Sequence, residues 1–142
     1  MTVQARRLML GAFLSVSVAT HMAAPAIAAC APGAQACPAV IRMASGETSV
    51  LIKGQLTKAK PIYYLKFDAR AGQMLTIDPV KASGIKWGAG VPIGFPGGKD
   101  GDAIEPGQPF KLPSTGTYSL ELHANTMADN SFGPFVVKMT IR

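Results

Sequence analysis

The stretch Tyr63-Tyr64-Leu65-Lys66-Phe67-Asp68 decides the fold, because the large apolar side chains at 63, 65 and 67 alternate with residues that water tolerates. Successive side chains of a strand point to opposite faces, so a period of two describes a strand with one buried and one wet face. The C-terminal stretch repeats the pattern, with Phe135, Val137, Met139 and Ile141 alternating with Val136, Lys138, Thr140 and Arg142. Tyr118, Leu120 and Leu122 alternate in the same way with Ser119, Glu121 and His123, and Leu75 and Ile77 point inward from Met74 to Asp78. No sustained 3.6-residue apolar period competes with these segments after the N-terminal region. Their inward members are the expected core.

Turn chemistry fills the space between the strands. Val40 to Met43 and Thr48 to Gly54 read as two strands divided by Ala44-Ser45-Gly46, and Ala71-Gly72 turns the chain before Met74. Pro79 is expected to end the strand that begins at Met74, because proline has no ladder donor. Phe110 to Leu112 leads to the turn Pro113-Ser114-Thr115-Gly116, and Asn125 to Pro134 reads as a polar loop. Val80 to Pro109 holds eight glycines and four prolines, which predicts long loops around one or two short strands. The whole is an all-β chain, expected to form a single small antiparallel β-sandwich of seven to eight strands.

The N-terminus is of another kind. Arg6 and Arg7 precede an apolar run from Leu8 to Ala19, and small residues lead to Ala26-Ile27-Ala28, the layout of a secretory signal peptide. A run of about a dozen residues is too short to cross roughly 30 Å of hydrocarbon, so no transmembrane span is expected. The paired arginines leave two export routes, the general secretory one and, less favoured, the twin-arginine one. Cleavage after Ala28 leaves 142 − 28 = 114 residues, one domain's length. The expected organisation is a signal peptide over 1–28, an N-terminal segment over 29–46 and the sandwich over 47–142, in a periplasmic or secreted protein.

Cys30 and Cys37 are the only cysteines, and in an oxidising compartment an even count reads as a disulfide. So short a loop removes about 2.5 kcal/mol of unfolded-state entropy, enough to order a segment rather than to hold a core. Ile27-Ala28-Ala29-Cys30 also resembles a lipobox, so a lipid anchor on Cys30 is the alternative; the break at Thr20-His21 and Pro25 favours ordinary cleavage.

The mature region carries 12 basic and 8 acidic residues, a net +4 once Arg6 and Arg7 are removed. Lysines scattered along a chain keep it soluble, and they suit an anionic protein or envelope surface by long-range steering. Nucleic acid is excluded, since there is no arginine-rich stripe and the aromatic residues sit at core spacings. His123 is the only histidine left after His21 is removed, and no Ser, Cys or carboxylate motif accompanies it. One histidine and two cysteines give no zinc-ligand spacing. Asp100, Asp102 and Glu105 read as a solvated acidic turn rather than an acid pair or a calcium loop, which needs more ligands and its own glycine placement. The chain is therefore expected to be no enzyme and to carry no cofactor and no metal.

Gly54-Gln55-Leu56, Tyr63 to Phe67, Ala71-Gly72-Gln73-Met74-Leu75-Thr76-Ile77 and Leu112-Pro113-Ser114-Thr115-Gly116-Thr117-Tyr118 follow one another in an order and spacing that resemble the bacterial pre-peptidase C-terminal type of β-sandwich. Among small exported proteins of that pattern, the resemblance is to periplasmic inhibitors of goose-type lysozyme. It implies a lysozyme inhibitor that inserts a loop into the enzyme cleft. The alternative is a general envelope binding or structural module contacting glycan, lipid phosphate or another envelope protein. Trp87-Gly88-Ala89-Gly90 stands where that group has an aromatic-Gly-Pro-Gly loop, with Ala89 in place of the proline. The expected partner surface is the glycine-rich stretch from Lys86 to Asp102, through Lys86, Trp87, Gly88, Gly90, Ile93, Phe95 and Lys99, with Trp87 as its apolar anchor. Trp87, Ile93 and Phe95 have a second reading, as plugs for one end of the sandwich.

The intact mass of the exported protein is expected to match a chain that starts at Ala29, less the hydrogens lost in a Cys30–Cys37 bond. A diacylglycerol on Cys30, or free thiols at both positions, would overturn this.

Overall fold

The computed structural model describes residues 30–127 and 132–142; the signal-peptide reading and its cleavage site lie outside the described residues. Nine strands follow in chain order: β1 (Ala39–Ile41), β2 (Ser49–Leu56), β3 (Ile62–Ala69), β4 (Met74–Lys81), β5 (Val91–Phe95), β6 (Lys99–Ile104), β7 (Phe110–Lys111), β8 (Gly116–His123) and β9 (Gly133–Ile141). They form two sheets, one in the order β1-β3-β8-β5-β6 and one in the order β2-β9-β4-β7. The inward members of the alternating segments meet between the sheets: Leu65, Leu75, Leu120, Leu122, Val137 and Met139 are all 1% exposed or less. Tyr63, Phe67, Ile77, Tyr118, Phe135 and Ile141 are buried with them, so the register read from the alternation is the register of the fold.

Three expectations are corrected. Among the described residues the strands number nine, and the one beyond the expected eight is the two-residue β7, too short to show alternation in sequence. The sheet is not wholly antiparallel, since β1 runs parallel to β3 with Ala39 beside Leu65. Pro79 does not end β4, which continues to Lys81 with a register shift between Pro79 and Lys81. Met74 and Arg142 exchange both backbone bonds, so antiparallel alternation turns the odd-numbered nitrogens of β4 away from β9. The nitrogen of Pro79 therefore lies on the open side of β4, where β7 has already ended, and the missing donor breaks no ladder bond.

The disulfide is present between Cys30 and Cys37. It closes a hook that lies on the core rather than a free tail. Gly33 adopts φ +82° with its α-carbon pressed on the Tyr63 ring, where any β-carbon would collide. Its carbonyl accepts from the Tyr64 N–H at 2.9 Å. Tyr63 also meets Phe135 edge to face, with ring centroids 5.1 Å apart. Burial pushes the Tyr63 phenol above its ordinary 10.0, so the unfolded chain ionises first and stability falls as pH rises past that value.

At the opposite end of the sandwich the aromatic residues form a closed stack. Phe67 lies parallel to Tyr118 at 5.5 Å, and Phe95 packs between Tyr118 and Phe110 at 6.0 and 6.4 Å. The Tyr118 hydroxyl donates to the Ser114 carbonyl at 2.6 Å and accepts from the Ser114 N–H at 3.0 Å, which fixes the turn between β7 and β8. The phenyl ring fills the same space without these bonds. Tyr118→Phe is therefore expected to cost about 1–2 kcal/mol, read as a lower urea midpoint with an unchanged slope.

Candidate functional site

The β5–β6 hairpin divides the stretch from Lys86 to Asp102 between opposite ends of the molecule. Lys86, Trp87, Gly88 and Gly90 precede β5 at one end, whereas Phe95 and Lys99 pair across the hairpin turn at the other. Five residues of β5 at about 3.3 Å each separate the two groups. Ile93, midway, is 2% exposed and faces the core opposite Leu120, so it offers no surface to a partner. Phe95 is half-buried in the aromatic stack described above. Both are plugs, because the inward positions of β5 alternate like those of any other strand.

The Trp87 end is built by four connections. The bridge Ile85–Ala124 and the bond from Asn125 N–H to the Gly84 carbonyl tie the β4–β5 loop to the β8–β9 loop. Ala124 N–H donates to the Pro61 carbonyl, bringing in the β2–β3 turn. That turn is a tight one, with Thr57 and Lys60 exchanging backbone bonds at 3.0 Å. The β6–β7 turn is held by Gly107 N–H on the Ile77 carbonyl.

Trp87 is half-buried, and its indole N–H donates to the Ala82 carbonyl at 2.9 Å, which sets the ring plane against the core edge. The Lys86 N–H donates to the His123 carbonyl at 2.8 Å, so the chain is anchored on both sides of the indole while the Lys86 side chain reaches solvent. Gly90 closes the turn back to the Trp87 carbonyl with φ +73°. A groove of about 460 Å³ opens between this turn and the β6–β7 turn, with Trp87 to Gly90 on one wall and Ala103, Glu105, Pro106 and Gln108 on the other.

Sequence reasoning missed the rest of this surface. Lys58 and Lys60 on the β2–β3 turn and Lys81 at the end of β4 join Lys86 here, against Glu105 among the described loop residues. Lys60 is positioned by the N-terminal hook, its Nζ donating to the Pro32 carbonyl at 3.2 Å and lying 5.1 Å from the Tyr63 centroid. Met127 is 96% exposed and Phe132 42% exposed on the β8–β9 loop. An exposed methionine beside a polar loop was the one local signal, whereas the lysines are dispersed in sequence and gathered only by the strand ends.

The end carries exposed cations and the half-buried Trp87 side chain. His123 pairs with Glu121 at 2.8 Å on the outer face of β8, both partly exposed. Asp100 and Asp102 are exposed along the edge strand β6. Among the described residues no group of three or more His, Cys, Asp or Glu converges as metal ligands would. No described helix is long and apolar enough to cross a membrane.

A β-carbon on Gly90 would stand 2.8 Å from that of Ala103 and 3.1 Å from the Ile104 carbonyl, in a backbone region that side chains avoid. Gly90→Ala is expected to cost about 1–3 kcal/mol, to narrow the groove and to shift the fluorescence of Trp87, the only tryptophan. Unchanged emission and unfolding would show the turn to be unstrained.

No protein-family model and no curated protein matches the chain. Solved structures do. The periplasmic inhibitor of g-type lysozyme from Aeromonas hydrophila, PliG, superposes with a TM-score of 0.54 at 20% identity, over 72% of this chain and 94% of that one. A mutant of the Escherichia coli PliG gives 0.55 at 18% identity, over 72% and 96%. The Salmonella Typhimurium PliG gives 0.55 at 19% identity over the same shares. This chain shares the β-sandwich fold of these inhibitors.

Proposed function

We propose that this protein is an exported, non-enzymatic inhibitor of a lysozyme, with goose-type enzymes favoured, and that the Trp87 end is the surface it presents. The observation that carries the reading is the joint one of fold and site. The sandwich is that of three periplasmic g-type lysozyme inhibitors, and Lys58, Lys60, Lys81 and Lys86 lie at the same end of it as a half-buried tryptophan. A glycosidase cleft is lined by carboxylates that do the chemistry. A cationic rim steers toward such a cleft, and an indole already fixed by the Ala82 carbonyl loses little side-chain freedom when it is covered. A signal peptide over 1–28, as the sequence reads, and the Cys30–Cys37 bond support an oxidising compartment outside the cytoplasm, where such a partner is met.

The mode of action is insertion or capping by the 86–90 turn, with the β2–β3 and β8–β9 loops as flanking contacts. Lys99 and Phe95, at the other end, take no part.

Inhibition of goose-, chicken- and invertebrate-type lysozymes by the purified protein tests this directly. Inhibition of the goose type that weakens as salt is raised is expected, because exposed charges are screened over roughly 10 Å at 0.1 M. Trp87→Ala is expected to weaken binding by about 2 kcal/mol or more, and Lys86→Glu to slow association, with Lys99→Glu as the control that changes neither. No inhibition of any class, or loss only in proportion to unfolded protein, would overturn the proposal.

A further inference from the structure

Among the described residues β2 is the terminal strand of its sheet. Ile141 N–H donates to the Thr48 carbonyl, and the register pairs Ser49 with Thr140. Antiparallel alternation then turns the backbone groups of even-numbered residues toward β9 and those of Ser49, Leu51, Lys53 and Gln55 outward. The other sheet ends are defended. β7 has two residues and β1 three, while β6 carries Lys99, Asp100 and Asp102 and a register shift against β5. β2 has eight residues, Lys53 as its only charge, and Leu51 53% exposed. A long edge of low charge is a template for another strand.

We propose that β2 pairs antiparallel with β2 of a second copy about a twofold axis at Val50, joining the two sheets edge to edge. The interface is isologous, so each contact occurs twice. Alternation admits only registers that oppose odd residues to odd ones, and charge chooses among them. Centred on Val50, the pairing sets Ser49 opposite Leu51 of the partner subunit and brings the exposed Glu47, two residues before β2 in the turn its N–H closes on the Ala44 carbonyl, toward Lys53 of the partner subunit at both ends of the contact. Centred on Leu51 or Ile52 it leaves both charges without a counter-charge, and centred on Lys53 it opposes two lysines. β2 runs from the aromatic end to the Trp87 end, so antiparallel pairing points the two Trp87 ends away from each other and leaves both open. The inference does not rest on the proposed function. Pairing over so few residues covers less than the roughly 800 Å² per partner of a standard interface, so the dimer is reversible and sensitive to dilution.

Sedimentation of the exported protein over a dilution series tests this. The mass is expected to rise toward twice that of the monomer with concentration. Lys53→Glu is expected to hold it at the monomer, and the double variant Glu47→Lys with Lys53→Glu to restore the dimer. Leu51→Pro, whose lost N–H faces outward, is expected to abolish association with the β9 ladder intact, checked by an unchanged unfolding midpoint. A wild-type protein that stays monomeric at its highest soluble concentration overturns the proposal, as does a dimer that survives both single variants. Failure of the double charge exchange to restore association overturns the register.

Discussion

Everything in this protein hangs from the dry layer between its two sheets. Leu75, Leu112 and Leu120 on one part of that layer and Val137 and Met139 on another have no exposed surface at all. A close-packed layer of this kind fixes strand register, because a slip by one residue would trade Leu120 and Leu122 for Ser119 and Glu121 and leave the polar groups dry. The loops inherit their positions from that register. Trp87 faces Glu105 across a groove because Val91 pairs with Ile104 one step below.

The two ends of the sandwich are finished differently. The end near Tyr118 is closed by stacked rings and by a hydroxyl that bonds both backbone groups of Ser114. Among the described residues the Trp87 end has no such closed stack, only the edge-to-face pair of Tyr63 and Phe135. Its connections are tied to one another through backbone bonds at Pro61, Gly84, Ala124 and His123, and Lys58, Lys81 and Lys86 are exposed while Lys60 is held against the Pro32 carbonyl. Backbone ties of this kind hold a contact surface in shape while leaving the side chains available, which lowers the ordering cost of binding.

The cysteines contribute to that surface indirectly. The hook they close brings the Pro32 carbonyl to Lys60 and lays Gly33 on Tyr63, so an N-terminal segment of modest loop entropy acts as a brace for the β2–β3 turn.

Alternation in β3, β8 and β9 was legible from residue types alone, since side-chain direction in a strand is a local property with a period of two. The same held for the disulfide, whose partners had no rivals. Pro79 was misread because the cost of a missing donor depends on which side of the strand it faces, and that is set by β7 and β9, far away in sequence. Ile93 and Phe95 carried two readings, loop anchor and sandwich plug, and they alternate within a five-residue strand whose partners, β6 and β8, supply the hydrogen bonds that glycine-rich sequence does not advertise. The sequence by itself determined that the chain would be a β-sandwich with a tryptophan in a glycine-rich segment. Only the tertiary structure decided that Lys58, Lys60, Lys81 and Lys86 share an end with Trp87 while Phe95 and Lys99 do not, because strand pairing brings distant residues together and a strand's length keeps near ones apart.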